Sequence, residues 1–230
     1  MSAMESVEYT IITIGTLAQN RLWGEGSPVR TSHATTTLVR SGERRILVDP
    51  SLPAAVLAAR YNERTGGALG DVTDVFCTTL RPVHRRSLAA LDEARWWVHE
   101  TELDAYRSYL EGLHDSAGRL SPEEAEGVEL DLAMLKRFEP APEELARHVK
   151  LFPLEGASPG SAGLLLEQPT ATVVLAGDAV ITAGHLLAGQ VWQGSVDAEA
   201  AAGSLRDVVE VADIVIPGHD NLVLLPRQWL

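Results

Sequence analysis

Runs of β-branched and aliphatic residues punctuate this chain, and between them the apolar spacing relaxes to that of helices. Val7 to Gly15, with Thr10, Ile11, Ile12, Thr13 and Ile14 in succession, predicts a first strand. Gly15 to Ser32 reads as loop, with Gly24, Gly26 and Pro28. Ala34–Val39 and Arg45–Asp49 flank Ser41-Gly42-Glu43 and predict a hairpin. Pro53 opens a helix through Val56, Leu57 and Tyr61 that stops at Gly66-Gly67. Short apolar strands are predicted at Asp74–Thr78 and Arg95–His99, followed by two amphipathic helices. The first, Thr101–Leu113, carries Leu103, Tyr106, Leu110 and Leu113 on one stripe; the second starts at the capping box Ser121-Pro122-Glu123-Glu124. Strands return at Val149–Leu154, Ala162–Glu167 and Ala171–Ala176, then a helix from about Asp197 to Val211 and a strand Asp213–Ile216.

Two β-rich halves, each followed by helices, suit an α/β sandwich with helices outside two packed sheets. Loops at the strand ends would then meet at one edge, which is where functional groups are expected. The length of 230 residues fits one domain over 1–230, with the helical pair at about 101–137 as an insertion. Such an insertion either covers a cleft or builds an interface. The apolar stretch Leu222–Leu230, with Trp229, could seal a core edge or a homo-oligomer contact.

Charge narrows the partners. A net charge of −13 argues against a nucleic-acid-binding surface, which needs a basic excess. No apolar run approaches the ~20 residues that span a bilayer, and Met1–Thr10 lacks a basic, then apolar, leader pattern, so a cytoplasmic location is expected. Cys77 is the single cysteine, which excludes an intrachain disulfide; Val75 and Phe76 beside it predict a buried thiol. No G-x-S-x-G elbow, Walker loop or G-x-G-x-x-G follows a strand, so serine-hydrolase and nucleotide-cofactor chemistry find no support.

The chemistry-bearing groups sit where strands end: Asp49, the loop Thr79-Leu80-Arg81-Pro82-Val83-His84, Gly177-Asp178 and Gly218-His219. In order and spacing, together with Ser158-Pro159-Gly160-Ser161, they resemble the metallo-β-lactamase-fold hydrolases, and the resemblance covers nearly the whole chain. It implies a four-layer αββα sandwich. In that family one metal is held by three His, which by position are Thr79, Arg81 and Ala157 here, so that site is erased and Arg81 places a permanent cation in it. The second metal's ligands correspond to Val83, His84, Asp178 and His219, of which three remain. Asp49 is in this family more often a structural partner of the metal loop than a ligand, and is expected behind the ligands.

Two imidazoles and a carboxylate with an open position match a catalytic zinc shell, and equally a facial triad for Fe(II). One divalent metal is therefore implied, zinc first and iron second, with a water acidified for attack on a carbonyl or phosphoryl centre. Val83 cannot orient that water as the family's aspartate does. The expected activity is hydrolysis of an ester, thioester or phosphoester of a small anionic substrate, with Arg81 and Asp178 as catalytic candidates. A metal-free binding or inactive scaffold, with Arg81 paired to Asp178 as electrostatic filler, and iron-dependent redox chemistry are the alternatives. His33, Arg81 and His185 are candidates for substrate contact, and Asp220 for an outer role beside His219. Arg81, Arg85 and Arg86 could form a cationic rim around His84, or Arg85 and Arg86 could begin a helix facing water. Trp23 and Trp192, in glycine-containing loops, are candidate pocket walls.

Overall fold

The computed structural model describes residues 6–115 and 120–226. Two six-stranded sheets lie face to face. The first has the order β1-β2-β3-β4-β5-β6, formed by Glu8–Thr13, Thr36–Ser41, Arg44–Val48, Asp74–Cys77, Arg95–Val98 and Phe138–Pro140. The second has the order β12-β11-β10-β9-β8-β7. Its strands are Glu144–Ala146 (β7), Val149–Pro153 (β8), Ala162–Glu167 (β9), Thr172–Gly177 (β10), Ile214–Pro217 (β11) and Val223–Leu224 (β12).

Alternation along the strands explains the layers, since neighbouring residues face opposite sides of a sheet. Val39, Ile46, Val48, Phe76 and Trp97 of the first sheet meet Leu164, Leu166, Val173, Leu175 and Ile216 of the second in the central core. Their neighbours Leu38, Leu47, Val75, Cys77 and Trp96 face outward, under helices α1 (Ala54–Thr65), α2 (Glu100–Asp115) and α3 (Pro122–Leu135). Val174, Ala176 and Val215 face the other way, under α4 (Ala183–Ala188) and α5 (Ala198–Val211). The architecture is the αββα sandwich expected from the sequence. Trp96 and Trp97 serve the two faces of one strand, and Cys77 is buried with its thiol pKa pushed well up, chiefly by that burial.

Differences from the sequence reading are confined to short elements. β6 and β7 have three residues each, and β6 ends in Pro140, as an outermost strand can. The α2–α3 pair forms the crossover between parallel strands β5 and β6. In the C-terminal stretch, β12 adds to the edge of the second sheet and Leu222 packs into the central core, so residues 222–226 seal an edge; Trp229 lies outside the described residues. Among the described residues no helix is long and apolar enough to cross a membrane.

This topology delivers the chemistry to one place. β3 and β4 are parallel, as are β10 and β11, so Asp49, the loop after Cys77, Asp178 and His219 all follow C-terminal strand ends. Backbone bonds stitch the two sheets together there: Ala162 N donates to Thr78 O, and Thr35 N donates to Gly218 O. Gly177 is required at this junction. It has φ +52°, and a Cβ would lie 2.5 Å from Thr78 Oγ1.

Candidate metal centre

His84 closes a 3₁₀ turn, Pro82–His84, whose first residue is the proline that such turns favour. Asp178 begins the turn after Gly177, and His219 follows Gly218, whose N–H donates to Gly177 O and Val180 O. All three side chains are nearly fully buried. His84 Nε2 lies 3.2 Å from Asp178 Oδ1, and His219 Nε2 lies 3.3 Å from the same oxygen. The imidazole rings stand edge to face, with centroids 5.5 Å apart. One ligand atom from each residue falls within 4.8 Å of the others.

The outer nitrogens decide the tautomers. His219 Nδ1 is 2.9 Å from His33 O and 3.2 Å from Thr16 O, and a carbonyl can only accept, so Nδ1 carries the proton. His84 Nδ1 is 3.0 Å from Asp49 Oδ2, which fixes its proton in the same way. Both Nε2 atoms of neutral rings then point lone pairs at a carboxylate oxygen. His84 Nε2 and Asp178 Oδ1 have no hydrogen-bond partner in good geometry. Acceptors facing one another in a buried space require a positive charge between them, a proton or a metal. The outward Nδ1–H donating to a carboxylate or carbonyl is the support that metal-binding histidines usually have.

Without a metal, the charge is a proton. Burial would push the His84 imidazolium pKa down, but Asp178 and Asp49 outweigh it and raise it to about 10. Burial likewise pushes Asp178 up, and His84 with His219 more than reverses this, holding it well below the usual carboxylate range. Asp49 lies on the outer side of His84. Thr78 N and Thr78 Oγ1 donate to its two oxygens at 2.8 and 2.7 Å, and these bonds hold it at φ +51°, unusual for a residue other than glycine.

The other half of the site is full. Arg81 Nη1 donates to Asp178 Oδ2 at 2.8 Å, while Nη2 donates to Ala157 O and to Gly194 O. Its guanidinium lies 4.4 Å from the Trp192 ring centroid. Behind it is a residue that the sequence reading missed. Glu102, in the first turn of α2 and only 4% exposed, accepts from Thr79 Oγ1, Leu80 N, Ser158 Oγ and Gly160 N at 2.7 to 3.1 Å. The helical insertion therefore reaches into the site and pins the loop before Arg81 to the turn after Ala157. No sequence signal marked Glu102; the close packing that buries it shows at Gly160, where a Cβ would sit 2.1 Å from Glu102 N.

Other candidates fall into place differently. His33 contributes its carbonyl to His219, while its ring Nε2 lies 3.0 Å from Ile14 O, so the imidazole is turned to the backbone. His185 is buried with its pKa lowered by that burial, and its Nδ1 lies 2.8 Å from the Thr182 hydroxyl, within α4 and its cap. Asp220 receives Ala183 N and Asn221 N, fixing the loop beyond His219. The cationic rim is reduced: Arg85 is bound by both oxygens of Asp131 and by Tyr106 OH, because the insertion supplies a carboxylate at that spot. Arg86 donates to Ser32 O at the surface, and Trp23 is exposed beneath Arg30.

Comparisons with known proteins bear on the fold. A comparison with curated proteins returns no match. A Thermotoga maritima protein given provisionally as a metallo-β-lactamase superposes with a TM-score of 0.69 at 17% identity, covering 95% of this chain and 99% of that one. AidC, a dizinc quorum-quenching lactonase in complex with a product, gives 0.66 at 14% identity over 98% and 93% of the two chains. A B. thuringiensis AiiA mutant with N-decanoyl-L-homoserine bound at its active site gives 0.63 at 18% identity over 94% and 93%. The family model described as Metallo-beta-lactamase superfamily matches residues 29–220, and with the two sheets, their helices and the strand-end site in place, this chain belongs to the metallo-β-lactamase superfamily.

Proposed function

We propose that this protein is a mononuclear metal-dependent hydrolase in which His84, Asp178 and His219 hold one divalent cation, zinc before iron. The observation that carries the proposal is the pair of partnerless, buried acceptor atoms, His84 Nε2 and Asp178 Oδ1, facing each other with His219 Nε2 beside them. When bound there, a cation would supply Lewis acidity and a water of lowered pKa. The chain's own residues do the rest. Asp49 and the His33 carbonyl orient the two imidazoles, and Arg81 steadies the second oxygen of Asp178 while offering charge to an anionic substrate. Asp220 holds the loop that carries His219. One cation rather than two follows from the Arg81 guanidinium and the Glu102 network, which fill the neighbouring space. The substrate is a small ester, thioester or phosphoester, and the likeness to lactonases favours the carboxylic ester.

A metal-free scaffold is the alternative. The Arg81–Asp178 pair and a His84 proton retained up to about pH 10 balance the buried carboxylates without any metal, as in a scaffold that only binds ligands. Elemental analysis of protein purified from metal-replete medium separates the two. One zinc or iron per chain, lost in both His84→Ala and His219→Ala, is the expected result. Metal content unchanged in both variants, or no metal in the native protein, removes the hydrolase reading.

A further inference from the structure

A cavity of about 370 Å³ lies against the outer side of Arg81, within the ~300–1,000 Å³ range of small-molecule sites. Its walls come from four separate segments, the first being the loop of Arg81 and Pro82. Helix α2 supplies Ala105, Tyr106 and Tyr109; the turn after β8 supplies Ser158 and Pro159; and the chain before α5 supplies Val196. Tyr109 and Val196 are 59% and 62% exposed, so large apolar groups stand open to water around one concave space. Such clustering marks a surface that expects a partner, whereas a lone exposed side chain does not. The Tyr106 and Tyr109 rings lie 6.1 Å apart and give α2 an aromatic face there.

The polar end of the cavity is Arg81, and its donors can be counted. A guanidinium has five N–H groups. One Nη1–H goes to Asp178 Oδ2, and Nη2 serves Ala157 O and Gly194 O. Nε–H and the second Nη1–H have no acceptor among the described residues, and the side chain is 23% exposed. The other polar side chains of the lining are already engaged, including the Glu102 carboxylate, which takes donors from Thr79, Leu80, Ser158 and Gly160. Tyr106 OH donates to Asp131 at 2.7 Å, and Ser158 Oγ donates to Glu102 at 2.8 Å. What remains is a mainly apolar hollow lined at one end by Arg81, two of whose N–H groups have no protein acceptor among the described residues.

We infer that this cavity is a binding site for a carboxylate, or the ester formed from it, whose apolar tail lies between α2 and Val196 and whose oxygens accept from Arg81. The tail site is built by the helical insertion, so the insertion sets which acyl group is taken. The head lies one hydrogen bond from Asp178, because Arg81 holds both. The substrate claim deepens the hydrolase reading and rests on it; binding of the free carboxylate does not.

Calorimetric titration of chelator-treated protein with butanoate, octanoate and octylammonium tests this, with metal content measured on the same preparations. Each buried methylene tightens binding roughly fourfold, so octanoate is expected to bind at least tenfold tighter than butanoate, and octylammonium not at all. Ala105→Trp, which fills the hollow, should erase the chain-length dependence. Tyr109→Ser, at an exposed position that does not threaten folding, should weaken octanoate several-fold and leave butanoate unchanged. Equal binding of the two carboxylates, octylammonium binding as well as octanoate, or octanoate binding untouched by Tyr109→Ser overturns the site. Chain-length dependence in a protein that never retains metal upholds the cavity and removes the hydrolase reading. One metal per chain with no chain-length dependence does the reverse.

Discussion

The two halves of the strand-end site are built on the same loops and share Asp178, yet they solve opposite electrostatic problems. On one side, His84, His219 and Asp178 Oδ1 bring acceptors together with no donor from the protein between them. On the other, Arg81 supplies a covalently attached cation, and Glu102 takes up four donors around Thr79 and Ser158. A half-site whose polar groups are paired internally needs nothing from solution. A half-site of unpaired lone pairs needs a cation, and its buried position makes leaving it empty costly.

Substitutions can break this contrast. The largest expected loss of stability is from Glu102→Ala, which strands buried donors on two loops and should destabilise the fold by roughly 3–5 kcal/mol. Urea unfolding measures this, and metal content should stay the same. Loss of metal with stability intact would place Glu102 in the wrong half.

The next effect is on pH. In metal-free protein the folded-state pKa of His84, about 10, exceeds its ordinary 6.5, so its contribution is complete below 6.5 and lost as pH climbs towards 10. Asp178 is depressed, so its contribution is present above the ordinary carboxylate value of 3.8 and lost as pH falls further. Unfolding midpoints of chelator-treated protein should therefore decline on both sides of a plateau at about pH 4–6.5. A flat profile from 6.5 to 10 would show that no His84 proton is held between the carboxylates. Metal binding must displace that proton, so metal affinity should rise across the same interval.

Smaller effects sharpen the assignment of supporting residues. Asp49→Asn keeps the shape but weakens the acceptor behind His84, and should lower metal affinity roughly 10- to 100-fold in a competition titration. His33→Ala should change stability by less than ~0.5 kcal/mol and leave the metal in place, since only the backbone carbonyl of His33 serves His219. A large loss of metal in His33→Ala would mean that its imidazole, not its carbonyl, belongs to the site.

The sandwich was legible because alternation along strands such as Leu38-Val39 and Leu47-Val48 assigns faces without any knowledge of distant contacts. His84, Asp178 and His219 were legible because each follows an apolar strand, and parallel pairing brings such ends together. Glu102 was not. In Glu100-Thr101-Glu102-Leu103 it reads as one of several acidic groups that favour a helix start, and nothing local distinguishes it from exposed Glu100. Only the packing of α2 on Gly160 buries it. Arg85 was misread for the same reason, as its partner Asp131 is 46 residues away on α3. His33 and His185 were judged by residue type, while the structure uses one for its carbonyl and the other to close a helix turn.

X-ray absorption at the zinc edge, on protein reconstituted with excess zinc, bears most directly on a single cation beside a guanidinium-filled neighbour. The account predicts a shell with two imidazole nitrogens and oxygen, and no second metal at the ~3.5–4 Å typical of paired sites. A metal–metal vector at that distance, or a shell without imidazole, would contradict it.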